Sequence, residues 1–261
     1  MFSKLFGKKP TASEKKKFFP ENRLEALLMQ AANDPGARPE FYKELLATDL
    51  FVLIVPENRP HGKYVAQEGD TLSIKGINVE GRKLIPVFTS ERRLREYIQA
   101  QDNLAKLNGH ALFSMIAAMS DGIILNPGAS YGKEFTHNEI ISLVDGSIFQ
   151  SREYTITKET KVLLGMPKDH PTKVINALLS YFQGKPEIKK AYFAQIHAPD
   201  SGESPHLIFA IQVDGDFRPI ASDLSIVFQS TLAEGEFADL LQLGQSSLDD
   251  YFLGQSPFFE R

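Results

Sequence analysis

In NRLEALLMQAA (22–32) and RPEFYKELLAT (38–48) the apolar positions recur every three or four residues. Leu24, Leu27, Leu28 and Ala31 share one side of one stretch, and Phe41, Leu45 and Leu46 share one side of the next. That spacing predicts two amphipathic helices. Asn33-Asp34-Pro35-Gly36 breaks them apart, and Pro39 suits the first turn of the second. LFVLIV (50–55) is a short continuous apolar run, which predicts a buried strand. Residues 56–80 alternate through KYVAQ and TLSIKGINV and predict a peripheral hairpin. KLIPVFTS reads as a strand, and SERRLREYIQA as a helix with Ser90 at its N-cap. A strand (DNLAKL), a helix (HALFSMIAAM), a strand (GIIL), a loop and a helix (HNEIISLV) follow. Thr136 and Glu139 have the spacing of a capping box, so that last helix starts after Thr136.

After a polar, irregular stretch the pattern resumes. KVLLGM predicts a strand, and TKVINALLSYFQG a helix closed by Gly184. EIKKAYFAQIHA and HLIFAIQVDGD predict two strands around the loop PDSGESP. A helix then starts at Pro219, EFADLLQL is a last strand, and SLDDYFL is a short helix. The order strand-helix-strand-strand-helix-strand is that of the split βαβ layout. The expected class is mixed α/β, α+β overall: an N-terminal mixed α/β domain followed by a ferredoxin-like β-α-β-β-α-β C-terminal domain. Its sheet is expected to have one helix-covered face and one open face. The expected divisions are a flexible basic arm (1–17), an N-terminal domain (18–148), a linker (149–160) and a C-terminal domain (161–261).

Composition narrows the function classes. The 261 residues are 42% hydrophobic and 24% charged, the balance of a globular protein. No cysteine is present, which excludes disulfides, thiolate metal sites and cysteine nucleophiles. No apolar run reaches the ~20 residues that span a bilayer, and a cytoplasmic location is the default expectation. The net charge of −4 is uneven. Residues 1–17 hold six lysines and Glu14, +5 in all, leaving −9 for the rest. An acidic body argues against sequence-independent nucleic-acid binding. Phe2, Leu5 and Phe6 share one face of a possible helical turn flanked by lysines. The ordinary reading is a solvated tail, and contact with an anionic membrane or a partner is the lesser one.

Candidate chemistry concentrates in LNPGASYGKEFTHNEI. Gly128-Ala129-Ser130-Tyr131-Gly132 matches G-x-S-x-G, with His137 nearby. A nucleophile elbow needs a helix directly after the serine. Here the capping box delays the helix past Gly132–Phe135, so a structural turn is the better reading. The alternative is a serine hydrolase, or an anion-binding loop at residues 126–137 with Lys133 near the helix N-terminus. Gly128 and Gly132-Lys133 miss the phosphate-loop spacing by one residue and lack the Ser or Thr after the lysine. His197 and His206 flank a hairpin loop with Asp200 and Glu203, without a third ligand at rigid spacing. No cofactor and no metal is therefore expected. Two adjacent phenylalanines in SPFFER either pin the chain end to the body or form an apolar docking site.

In order along the chain, FYKELLATDLFVLIV, LIPVFTS, LNPGASYGKEFTHNEI, HPTKVINALLSYF, KKAYFAQI, PHLIFAIQVDGD and PFFER resemble the SseB family, the "enhanced serine sensitivity" proteins. The resemblance covers about residues 20–261. Its N-P-x-x-x-Y-G-K-E-[FL] pattern falls on Asn126, Pro127, Tyr131, Gly132, Lys133, Glu134 and Phe135. It implies a bacterial cytoplasmic protein with N- and C-terminal SseB domains, an unestablished molecular activity and no catalytic residue to carry over. The expectation is thus a non-catalytic binding or regulatory protein with an unidentified protein partner; its oligomeric state is left open. The Asn126–Phe135 loop and the terminal Pro257, Phe258, Phe259, Glu260 and Arg261 are its candidate contact sites.

Overall fold

The structure is a computed structural model that describes residues 20–55, 73–98, 103–150, 161–199, 202 and 204–261. The expected arm, the KYVAQ half of the hairpin, most of the linker, and Asp200 and Glu203 lie outside them. Two compact units form, one of Met1–Asn33 with Glu40–Ile148, the other of Asp34–Pro39 with Phe149–Arg261.

In the first unit, helices α1 (Arg23–Asn33) and α2 (Arg38–Ala47) precede β1 (Asp49–Val55). Two short strands follow, β2 (Ser73–Ile74) and β3 (Ile77–Val79), then β4 (Arg82–Phe88) and α3 (Glu91–Tyr97). β5 (Asn103–Asn108) leads directly into α4 (Gly109–Ala117), followed by β6 (Gly122–Leu125), β7 (Lys133–Thr136) and α5 (His137–Val144). The sheet runs β2-β1-β4-β6-β7, with β5 also paired to β1 and β3 to β4. β1 occupies its centre because Leu50, Val52, Leu53 and Ile54 can be buried on both faces. Of the expected hairpin only the TLSIKGINV arm is described, from Ser73 on, and it divides into β2, paired with β1, and β3, paired with β4. β7 is a strand where a plain loop was expected, and pairs antiparallel with β6.

The second unit contains β8 (Leu163–Gly165), α6 (Thr172–Gln183), β9 (Ile188–His197) and β10 (His206–Val213). α7 (Arg218–Thr231), β11 (Ala238–Gln242), α8 (Asp249–Leu253) and β12 (Phe259–Glu260) complete it. α6 buries Val174, Ile175, Leu178, Tyr181 and Phe182 against Ile188, Phe193, Phe209 and Ile211 of the sheet, with α7 beside it. The turn Pro35–Ala37 also lies on α6, and a Cβ on Gly36 would stand 2.5 Å from the Ala177 carbonyl oxygen.

The element order is the expected one, but the ferredoxin-like arrangement is not present. The sheet runs β11-β10-β9-β12, with β8 sharing the far edge of β9. A split βαβ would set the first strand beside the third; β8 instead pairs antiparallel with its successor β9. Element order leaves pairing undetermined, and a three-residue strand adds little register information of its own. The expectation of an open sheet face is also corrected. Tyr192, Ala194, Ile196, Ile208 and Ala210 lie buried with Phe252 of α8, and Leu243, Leu248 and Tyr251 pack beside them.

Candidate functional site

The Asn126–Phe135 segment is the connection of the β6–β7 hairpin. Asn126 has φ of 49°, a left-handed conformation that asparagine tolerates better than most residues. Gly128 has φ of 79°, which favours glycine. Gly132 answers a different demand: a Cβ there would stand 2.6 Å from the Leu125 carbonyl oxygen. The distinctive side chains face inward. Phe135 is fully buried and meets Phe113 edge-on at 5.4 Å. Tyr131 is buried. The Lys133 side chain has no solvent exposure; its Nζ donates to Glu139 Oε1 at 2.9 Å and lies 4.6 Å from the Phe135 ring centroid. Glu139 also accepts from the Thr136 amide and hydroxyl, so one carboxylate closes the capping box and neutralises the lysine. Glu134 is half-buried and pairs with Arg82. Pro127 to Ser130 form the part of the loop nearest solvent.

The polar groups of the motif have other partners in this arrangement. Ser130 is half-buried, while the exposed His137 ring places Nδ1 3.2 Å from the Ser120 carbonyl oxygen. The proposed anion position at the start of α5 already holds the Glu139 carboxylate, and the Lys133 amine is bound to it. In the second unit, His206 Nε2 lies 2.9 Å from Asp239, and His197, at the end of β9, is one residue past Ile196, the register partner of His206. No group of three or more potential metal ligands occurs among the described residues.

A buried polar cluster, which the sequence did not reveal, holds the base of the loop. Thr89 donates its amide to Asn126 Oδ1 at 3.0 Å, and Asn126 Nδ2 donates to Thr89 Oγ1 at 2.9 Å. Thr89 Oγ1 in turn donates to Glu25 Oε1 at 2.8 Å, and Ser90 Oγ donates to the same oxygen at 3.1 Å. Arg93 meets both Glu25 oxygens through Nε and Nη2, each at 3.2 Å. The Glu25 side chain is completely buried. Burial acts to raise its pKa, but bonds from Arg93, the Glu21 amide and Thr89 together hold it below the ordinary carboxylate value. The cluster ties α1, the β4–α3 junction and the end of β6 together. Its signal in the sequence is faint, because Glu25 and Arg93 look like the solvent faces of amphipathic helices.

The chain end is pinned to the body. β12 pairs with β9 through Phe259–Ala191 and Glu260–Lys190. Phe258 packs its ring 5.8 Å from Phe193 and 6.1 Å from both Phe182 and Phe209. Arg261 donates to the Phe182 carbonyl at 2.9 Å, satisfying one of the last acceptors of α6. The exposed Glu260 carboxylate bonds Lys190 and raises the pKa of that amine. Pro257 is half-buried.

The comparisons with known proteins agree with this two-part organisation. The SseB protein N-terminal domain matches residues 24–142, and the SseB protein C-terminal domain matches residues 156–261. The chain belongs to the SseB family. Protein SseB of Escherichia coli (strain K12) and Protein SseB of Shigella flexneri are each 27% identical to it over 246 residues, 92% of this chain and 93% of theirs. No solved structure matches it. The N-terminal SseB region includes the polar cluster, the hairpin loop and the α4–α5 pair; the C-terminal region includes β12.

The α4–α5 pair is the distinctive surface of the SseB N-terminal region. The two helices pack side by side and antiparallel: His110 Nε2 lies 3.2 Å from the Val144 carbonyl oxygen, and His137 lies by Ser120 at the other end. Leu112, Phe113, Ile116, Ile140 and Leu143 face the core. Between the polar exposed residues His110, His137 and Asn138, the outward side carries exposed apolar ones: Met115 37%, Met119 41% and Ile141 41%, with Ala111 and Ala118 exposed as well. From Gly109 to Ser120 there is no Asp, Glu, Lys or Arg, and Glu139, the one such residue of α5, is buried. The sequence signal was present in HALFSMIAAM, whose apolar residues cover more of the helix than one core-facing stripe requires. Among the described residues no helix is long and apolar enough to cross a membrane.

Proposed function

We propose that this SseB-family protein is a non-catalytic binding or regulatory protein that acts through protein contacts, and that its contact surface is the outward face of α4 and α5. The observation that carries this reading is an exposed, uncharged side on two adjacent helices in a chain that is 24% charged. A helix 9 residues long extends about 14 Å. With its neighbour 8–10 Å away, it offers a few hundred Å², well below the roughly 800 Å² per partner of a standard protein interface. The surface therefore suits a short apolar segment of a partner better than a broad globular face. The Asn126–Phe135 hairpin and the Pro257–Arg261 strand act in this reading as supports, since their apolar side chains are spent internally.

Retention of cell-extract proteins on the immobilised full chain tests the proposal. Partners held by the wild type are expected to be lost with Met115→Glu plus Ile141→Glu and retained with Lys190→Ala. Equal retention by the double variant would rule out the surface. Fluorophosphonate labelling that disappears in Ser130→Ala would replace the binding reading with a hydrolase.

A further inference from the structure

The surface assigned above has a matching segment within the same chain, and we propose that residues 2–6 dock on the outward face of α4 and α5 and regulate access to it. This inference rests on the proposed contact surface and adds its first occupant. Three observations converge on it. The first is size: two short helices accommodate one or two helical turns, not a second globular copy. The second is pattern. Phe2, Leu5 and Phe6 stand at i, i+3 and i+4, the spacing with which a short helix fills an apolar groove. The third is charge. The helix pair has no exposed charge of its own, and the carboxylates at its two ends are Asp121, which follows α4 beside the start of α5, and Asp145, the C-cap of α5. Lys4, Lys8 and Lys9 flank the apolar triplet with the opposite sign.

Reach permits the contact. The described chain resumes at Pro20, and the residues between Phe6 and Pro20 span up to about 45 Å when extended. A domain of this size has a radius of gyration near 14 Å. Tethering also supplies an effective concentration on the order of millimolar, so a segment with weak intrinsic affinity occupies the face without a large interface. A partner with a similar apolar segment then has to displace residues 2–6, which gives the arm a regulatory role.

The absence of cysteine makes the test direct, because one introduced cysteine is unique. A spin label on Ser3→Cys in the full-length chain is expected to remove the amide signals of α4 and α5 by paramagnetic broadening. Those signals are expected to return with Phe2→Asp, Leu5→Asp and Phe6→Asp together, and separately with Met115→Glu plus Ile141→Glu. All five substitutions alter exposed positions or the arm, so the body remains folded for the comparison. Broadening on a different surface, or broadening that persists in the Met115→Glu, Ile141→Glu protein, overturns the proposal. Transfer of the effect to unlabelled molecules in a mixed sample also overturns it, in favour of a second copy. Arm-dependent pelleting with phosphatidylserine vesicles, without broadening of α4 and α5, reassigns the arm to a membrane. None of these negative results affects the partner-retention test, so failure of the arm proposal is distinguishable from failure of the contact surface.

Discussion

Lys133 shows how burial reverses the meaning of a residue. In the sequence it is a charged residue in a glycine-rich loop; in the fold its amine is enclosed with Glu139 and Phe135. Removing one partner of a buried ion pair costs about 3–5 kcal/mol because the other charge is left without compensation. Glu139→Ala is therefore expected to lower unfolding stability by that amount, since it also breaks the capping box. Lys133→Met is expected to cost less, because Glu139 keeps its bonds from Thr136. Ser130→Ala is expected to change stability by less than about 0.5 kcal/mol, the range of a substitution outside such networks. Urea unfolding of the three variants checks this ranking, and a large loss in Ser130→Ala would contradict it. Glu25 gives a pH test. Its folded pKa lies below the ordinary 4.5, so its stabilisation is present above that value and is lost as the pH falls through the lower, folded pKa. Glu25→Gln is expected to flatten this part of the acid-unfolding profile while lowering stability at neutral pH. An unchanged profile would mean that other carboxylates dominate acid unfolding.

At the scale of elements, β12 is the clearest addition to the sequence reading. Its two residues extend the sheet, while the preceding Phe258 fills space between α6 and β9–β10. Full burial of a phenylalanine is worth about 3–5 kcal/mol on truncation to alanine. Phe258 is half-buried, so Phe258→Ala is expected to cost about 2 kcal/mol by thermal or urea unfolding, toward the lower end of core truncations. Deletion of 257–261 is expected to cost more, because it also removes the strand pairing and the Arg261 cap. A neutral deletion would mean the segment does not support the sheet. The helices and the longer strands were legible because their apolar periods differ, and Thr136–Glu139 marked the start of α5 correctly. β7 was not legible: Lys133 and Glu134 imitate a polar loop because their charges are matched by Glu139 and Arg82, residues distant in the pattern. The sheet order of the second unit was hidden for a related reason, since β8 through β11 specify strands without specifying neighbours. Glu25 and Arg93 show the same limit within the polar cluster, where each half looks exposed until the other arrives.

Across the whole molecule, the unequal distribution of charge gives the arm proposal its sharpest consequence. Residues 1–17 carry +5 and the remainder −9, so attraction between them is built into the composition. Screening separates this long-range contribution from the apolar one. The Debye length shrinks from about 10 Å at 0.1 M salt to about 3 Å at 1 M, whereas apolar burial is insensitive to such screening or strengthened by some salts. Broadening of α4 and α5 by the Ser3→Cys label is therefore expected to weaken, but not vanish, between low and high sodium chloride. Asp121→Asn with Asp145→Asn is expected to reduce the salt dependence while leaving the high-salt signal in place. A salt response unchanged in that double variant would show that the acidic ends of the helix pair do not guide the arm. Complete loss of broadening at high salt would show that Phe2, Leu5 and Phe6 do not enter the face at all. A partial loss fits both contributions: lysines that bring the segment to the surface, and an apolar triplet that holds it there until a partner displaces it.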